Sequence, residues 1–171
     1  LAAFVMAAGC SDAPTVGPSP KPVAGPALNE RKIKADLPEI VALDENGETA
    51  YVVRAASSKL KIGGAGASSG VLSGVTGEIM KDGRTASRFR AKSGEVDQQA
   101  RRLVLEGDVT VTDEARGIVL VAQRVDYAEA AGRIEARGRV TVSSGSALLG
   151  PVDALWATPG LERVATPDMF K

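Results

Sequence analysis

Arg102 to Val111 reads RLVLEGDVTV, and Arg133 to Val142 reads RIEARGRVTV. Each is the pattern of one long strand bent at its middle. Leu103 and Leu105 alternate with Arg102, Val104 and Glu106. Gly107-Asp108 interrupts the run, and Val109 and Val111 resume it against Thr110 and Thr112. Val140 and Val142 do the same in the second copy. Gly107 and Gly138 lie 31 residues apart, as do Arg102 and Arg133. A fixed spacing of this length marks a chain built from repeated supersecondary units. A glycine at the centre of each copy permits a kink or bulge where a strand passes from one sheet face to another.

The repeat extends to either side. At the same offset of 31, Phe89 maps to Leu120, Val96 to Tyr127 and Leu103 to Ile134. In the next copy the offset shortens to 29, carrying Leu120 to Leu149 and Tyr127 to Trp156. Stacked antiparallel hairpins would set these residues in inward rows. One row holds Phe89, Leu120 and Leu149. Another holds Val96, Tyr127 and Trp156. Further rows pair Val109 with Val140 and Val111 with Val142.

Upstream, Ile40 to Leu43 and Thr49 to Ala55 are β-prone and flank Asp44-Glu45-Asn46-Gly47, whose Asn-Gly is a strong hairpin signal. Tyr51, Val53 and Ala55 alternate there. Val71 to Met80 and Thr85 to Ala91 read as strands joined by Lys81-Asp82-Gly83. Asn29 to Asp36 is charged and fits a short helix or an extended lead-in. Gly63 to Gly70, GGAGASSG, lacks the Lys-Ser/Thr of a phosphate-binding loop and reads as a flexible connection. Gln98 to Leu105 and Ala128 to Ile134 are helix-friendly but short, and no stretch sustains helical periodicity. Short strands with regular turn signals predict an all-β sandwich or roll.

Composition narrows the function classes. Apolar residues are 44% of the 171, aromatics only 4%, so a core must be built from Val, Leu, Ile and Ala. Lys+Arg equals Asp+Glu at 21 each, and zero net charge argues against a nucleic-acid partner. There is no His, which removes the usual general base and the commonest metal ligand. Glu106, Asp108 and Asp126 are carboxylates without metal-ligand spacing, so no catalytic set and no cofactor are expected. The single Cys cannot form an intrachain disulfide.

That residue, Cys10, follows LAAFVMAAG, an apolar run far shorter than the roughly 20 residues a membrane span needs. Ala7, Ala8 and Gly9 before Cys10 resemble the end of a bacterial lipoprotein signal, after which the thiol and the new amine are acylated. An ordinary secretory signal or a truncated transmembrane anchor fits the same run. Residues 11–36 then form a linker. Its part from Ser11 to Leu28 carries Pro14, Pro18, Pro20, Pro22 and Pro26, an extended spacer able to hold a domain at 37–167 away from a membrane.

Apolar rows ordinarily mean a packed core. If the two sheets of a roll do not close fully, the same rows line a long groove able to take acyl chains, since each buried CH₂ contributes about 0.8 kcal/mol. The candidate lining is Val53, Phe89, Leu103, Leu105, Val109 and Val111, continuing through Leu120, Tyr127, Val140, Val142, Leu149 and Trp156.

The segment Phe89 to Gly150 resembles the periplasmic lipopolysaccharide-export proteins of the LptC and LptA (OstA-like) superfamily. The resemblance rests on a small-residue strand end at Arg90 to Ser93, the apolar Leu103 to Leu105, Gly107-Asp108-Val109-Thr110-Val111, and Ala122 to Tyr127. Asp44, Gly47, Tyr51, Val53 and Ala55 are similar to the opening of LptC in particular. It departs from that family at its amino terminus, where LptC usually has a transmembrane helix. The resemblance implies a twisted, partly open antiparallel β-jellyroll. It implies a non-enzymatic relay that accepts lipopolysaccharide from an inner-membrane ABC transporter (LptBFG-like) and passes it to an LptA-like periplasmic bridge by edge-strand pairing. A periplasmic domain tethered to the inner membrane follows. An LptA-like bridge component and an assembly lipoprotein with a closed β core are the alternatives.

Overall fold

A computed structural model describes residues 31–62 and 68–169. Cys10 and the proline-rich spacer lie outside the described residues, as does most of the glycine-rich connection. The described chain is all-β: one open antiparallel sheet of ten strands, twisted and rolled in the manner of a jellyroll. The strands are β1 (Arg31–Asp36), β2 (Glu39–Leu43), β3 (Thr49–Ile62), β4 (Ser68–Lys81) and β5 (Arg84–Asp97). There follow β6 (Arg102–Asp113), β7 (Ile118–Ala128), β8 (Arg133–Ser144), β9 (Ala147–Ala157) and β10 (Val164–Ala165). Each strand from β3 to β9 pairs with its neighbours in sequence, and β1 and β2 share the far side of β3. The helix-friendly stretch at Ala128 contributes only one turn of 3-10 helix, Glu129–Ala131.

The hairpin at Asn46-Gly47 forms as its sequence dictates. The Asp44 carboxylate accepts hydrogen bonds from the amides of Asn46 (2.9 Å) and Glu48 (2.8 Å), which tightens the turn. The described part of the charged lead-in, Arg31–Asp36, is strand β1 and not a helix. Ser68, Ser69 and Gly70, read as part of a loop, begin β4.

The bend predicted at Gly107 is a bulge. Glu106 pairs with Arg124 and Val109 with Ala122, so Gly107 and Asp108 together oppose Gln123 alone. In β8, Arg137 pairs with Ala154 and Val140 with Val152, so Gly138 and Arg139 oppose Asp153. Both residues of each pair are left-handed, with φ of 78° and 50° at Gly107-Asp108 and 78° and 49° at Gly138-Arg139. Glycine takes the first position at no steric cost. An extra residue on one strand bends it and increases its twist. Neighbouring strands bend in the same line: the register of β5 on β6 slips between Arg90 and Ser93.

This crease folds the sheet over on itself. One layer holds the half of each strand beside Tyr51, Phe89, Val111 and Leu120; the other holds the half beside Leu103 and Tyr127. The cross-strand register sets the inner face in rows. Val53, Gly77, Phe89, Val111, Leu120, Val142 and Leu149 form one continuous row. Val96, Leu103, Tyr127, Ile134 and Ala157 form the row nearest the other margin. The two margins meet along a seam where the rings of Tyr51 and Tyr127 pack edge to face, 6.0 Å between centroids.

Candidate functional site

The inner face is the first candidate. Leu103, Val109, Val111, Leu120 and Val140 are 0% exposed, and Val53, Phe89, Leu105, Tyr127 and Val142 are also buried. These ten side chains belong to one cluster of aliphatic and aromatic contacts. Leu149 belongs to the same row as Leu120, yet it is 47% exposed. The layers meet with an offset: β3 faces β7 at the tyrosine pair, and the β5–β6 turn reaches β2 through Gln98, whose amide donates to the Val41 carbonyl (3.4 Å). The last strand of one layer therefore has no counterpart across the interior, and Leu149 lies there.

Trp156 is not on the inner face. It pairs with Glu135 on the outer side, while its neighbours Leu155 and Ala157 point inward and are buried. The cause is local. Between Val140 and Val142 the partner strand runs from Val152 to Leu149, so Gly150-Pro151 inserts one more residue than the partner has. The residue equivalent to Tyr127 is thus Ala157, and Trp156 instead lies beneath the Arg133 guanidinium at 4.1 Å. Val104 is a second departure: it faces outward, as its alternation requires, but is 8% exposed because Glu95 and Asp126 flank it.

The seam is the second candidate. It contains a recess of about 350 Å³ bordered by Asp44, Thr49, Met80, Tyr127, Glu129 and Pro159. Tyr51 lies buried near it, and its hydroxyl has no hydrogen-bond partner among the described residues. Burial first, then the fields of Tyr127, Asp97 and Glu129, push the Tyr51 hydroxyl well above its ordinary range. Tyr127 is pushed up to about 12 by burial, with Glu129 and Asp44 adding to it. Both therefore remain neutral phenols, beside a recess whose border also carries the carboxylates of Asp44 and Glu129. Glu129 is held by Arg101 at 3.1 Å.

The seam is crossed by a loop that sequence reading passed over. After β9 the chain turns through Thr158-Pro159-Gly160-Leu161, and Leu161 inserts into the core at 1% exposure with a left-handed φ of 56°. Thr-Pro-Gly signals the turn, but nothing in the sequence marks the following leucine as a core residue.

The edges are the third candidate. β10 covers only Trp156 and Ala157, leaving Ala147 to Leu155 of β9 unpaired on that side among the described residues. This edge carries Leu148, 70% exposed, and a single charge, Asp153. The opposite edge, formed by β1 and β2, is RKIKAD followed by EIVAL, with Val41 and Leu43 exposed.

The outer face is laced with ion pairs. Asp126, 8% exposed, accepts from Arg102 Nε at 2.7 Å and lies 3.7 Å from Arg124, which also pairs with Glu106. These acids are committed to arginines. Among the described residues no group of three His, Cys, Asp or Glu side chains is placed to hold a metal ion, and no helix is long and apolar enough to cross a membrane. The class that fold and site define is an open, rolled β-sheet with an aliphatic interior and two edges left largely unpaired among the described residues. No family model matches the chain, and no curated protein matches it in sequence.

Proposed function

We propose that this protein is a non-enzymatic lipid-binding relay of the cell envelope. It would accept lipopolysaccharide from an inner-membrane ABC transporter and hand it to a periplasmic bridge protein of similar fold. One observation carries the reading: an open sheet rolled around an aliphatic interior, with the inner row emerging at Leu149 beside an unpaired, nearly uncharged edge. An added strand on that edge would continue both the hydrogen-bond ladder and the apolar row into the next molecule. Acyl chains suit such a surface, and the lipid phosphates and sugars would remain outside. A Cys10 anchor would keep the donor end at the membrane. The LptA-like bridge role uses the same two edges.

A photoreactive amino acid at Leu149 or Tyr127, in cells, tests the reading. Lipopolysaccharide adducts from these positions support it. Their absence, with adducts from a known groove protein in the same cells, refutes it. The complete burial of Leu103, Leu120 and Val140 favours a second reading, an assembly lipoprotein with a closed core whose edges serve only for association. That reading expects adducts to neighbouring protein and none to lipid.

A further inference from the structure

The loop from Thr158 to Arg163 closes the seam, and it is attached in an asymmetric way. Its own base is stapled by bonds within the loop. Thr158 N–H donates to the Arg163 carbonyl (3.0 Å), Arg163 N–H to the Thr158 hydroxyl (3.1 Å), and Leu161 N–H to the Thr158 carbonyl (2.9 Å). The Thr158 hydroxyl also donates to Glu162 (2.5 Å). All of these stay intact if the loop moves as one piece. Its attachment to the facing layer is different. The Ser87 hydroxyl donates to the Pro159 carbonyl (2.7 Å), and the Arg116 guanidinium donates to the Gly160 carbonyl. Lys81 reaches Glu162 at 3.3 Å and Arg116 reaches it at 3.9 Å. Each involves a side chain of the facing layer; among the described residues no backbone–backbone hydrogen bond joins loop and layer. Both charged contacts to Glu162 are well exposed, and pairs in that setting hold weakly.

Two further features point to movement at this place. Leu161 is held left-handed, a conformation that costs an L-residue energy and persists only where surrounding contacts impose it. The loop also borders the recess at the seam, through Thr158 and Pro159, together with Tyr127.

We propose that Thr158–Arg163 is a releasable strap: it swings outward as a unit about β9 and β10, withdraws Leu161, and opens the seam between the layers. Release joins the recess at Tyr127 to the aliphatic interior, which gives an acyl chain a lateral way in. That last step rests on the lipid-binding reading above; the opening itself is a property of the free protein.

Thiol labelling measures the opening without lipid. In the full chain carrying Cys10→Ser, cysteine is placed at Leu161, at Pro159, or at the core control Leu120, and native labelling by a maleimide is followed with increasing urea. Local opening of the strap labels Leu161→Cys at least roughly a hundredfold faster than Leu120→Cys, with almost no dependence on urea. Adding Ser87→Ala, which removes the bond to Pro159, speeds it by about a further tenfold. Pro159→Cys retains the leucine plug and carries the test where Leu161→Cys fails to fold. The proposal is overturned if the strap cysteines label at the rate and urea dependence of Leu120→Cys. It is equally overturned if Ser87→Ala leaves strap labelling unchanged. Lipid enters neither measurement, so a failed crosslinking experiment leaves the strap standing, and a failed strap leaves lipid binding at the end near Leu149 untouched.

Discussion

Gly107→Ala should destabilise the fold by about 1–2 kcal/mol. The backbone there has φ of 78°, where an L side chain meets its own carbonyl at a cost of roughly 1–2 kcal/mol. A methyl at this position would also stand 3.0 Å from Lys92 Cβ and 3.1 Å from Lys92 Cδ across the bulge. Lys92 Cδ can rotate away, but Lys92 Cβ is fixed to the backbone of β5, so the strands must give by a few tenths of an ångström and the overlap adds to the cost. Against this, alanine stiffens the unfolded chain, which returns some tenths of a kcal/mol. At about 2–4 °C per kcal/mol for a chain of this size, the expected fall in Tm is about 2–8 °C. Gly138→Ala probes the same geometry 31 residues on, where the Gln123 side chain sits closer, its Oε1 at 2.6 Å from the added carbon. It should cost at least as much. Asp108→Gly is the internal control: Asp108 is also left-handed, at φ 50°, so glycine relieves strain there and should cost no stability beyond its pair with Lys92. Urea unfolding of the three variants, followed by circular dichroism, settles it. A Gly107→Ala midpoint equal to the parent, or an Asp108→Gly loss larger than that of Gly107→Ala, would refute a glycine-dependent bulge as the source of the crease.

Three other perturbations bear on separate parts of the molecule. Leu120→Glu puts a carboxylate into a site with 0% exposure and should abolish cooperative unfolding, whereas Val121→Glu, one residue on and 40% exposed, should stay within about 0.5 kcal/mol in the same urea titration. Acid should weaken the bonds at Glu162, those within the strap and the one to Lys81. Partial burial raises the Glu162 carboxyl, but the Thr158 hydroxyl, its own amide and Lys81 outweigh this and hold it at about 2, below its ordinary 4.5. A depressed carboxyl stabilises above its unfolded pKa and loses that contribution as pH falls through the folded value, so stability should decline between about pH 4.5 and 2, and Glu162→Gln should flatten that decline. Leu148→Lys charges the β9 edge at a side chain 70% exposed; thermal stability should hold while any concentration-dependent association seen by sedimentation is lost.

Much of this architecture was readable because its informative residues repeat two strands apart. Gly107 and Gly138 both sit in bulges of identical backbone form, and the row of Phe89, Leu120 and Leu149 follows from hairpins of nearly equal length. The offset failed only where equality of length failed: Gly150-Pro151 adds a residue, and Trp156 turns outward. β1 was ambiguous because the alternation in RKIKAD, Ile33 and Ala35 between Lys32, Lys34 and Asp36, is too short to exclude a helical turn; it is extended through pairing with Ser57 to Ile62, a non-local cause. The seam could not be read at all. Tyr51 meets Tyr127 and Ser87 meets Pro159 only because the crease brings distant strands together. Leu161 shows the same limit, since its burial depends on the layer it reaches and not on its neighbours in sequence.

The filled interior changes what lipid binding would require. Leu103, Val109, Leu120 and Val140 have no exposed surface, so an acyl chain placed among them would gain about 0.8 kcal/mol per CH₂ and forfeit equal contacts between the side chains it parts. Exchange of that kind is close to neutral and supplies no affinity. Net gain exists only where apolar surface still meets water. One such place continues from the interior, the end of the row at Leu149, left uncovered by the offset of the layers; a second, the seam recess at Tyr127, is walled mainly by polar and charged side chains and would offer apolar contact only once the strap lifts. The first becomes covered when a partner strand joins the β9 edge, and the second becomes continuous with the core when the strap lifts. On the lipid-binding reading, the rows that define the fold would wall a path whose affinity is set where it meets water.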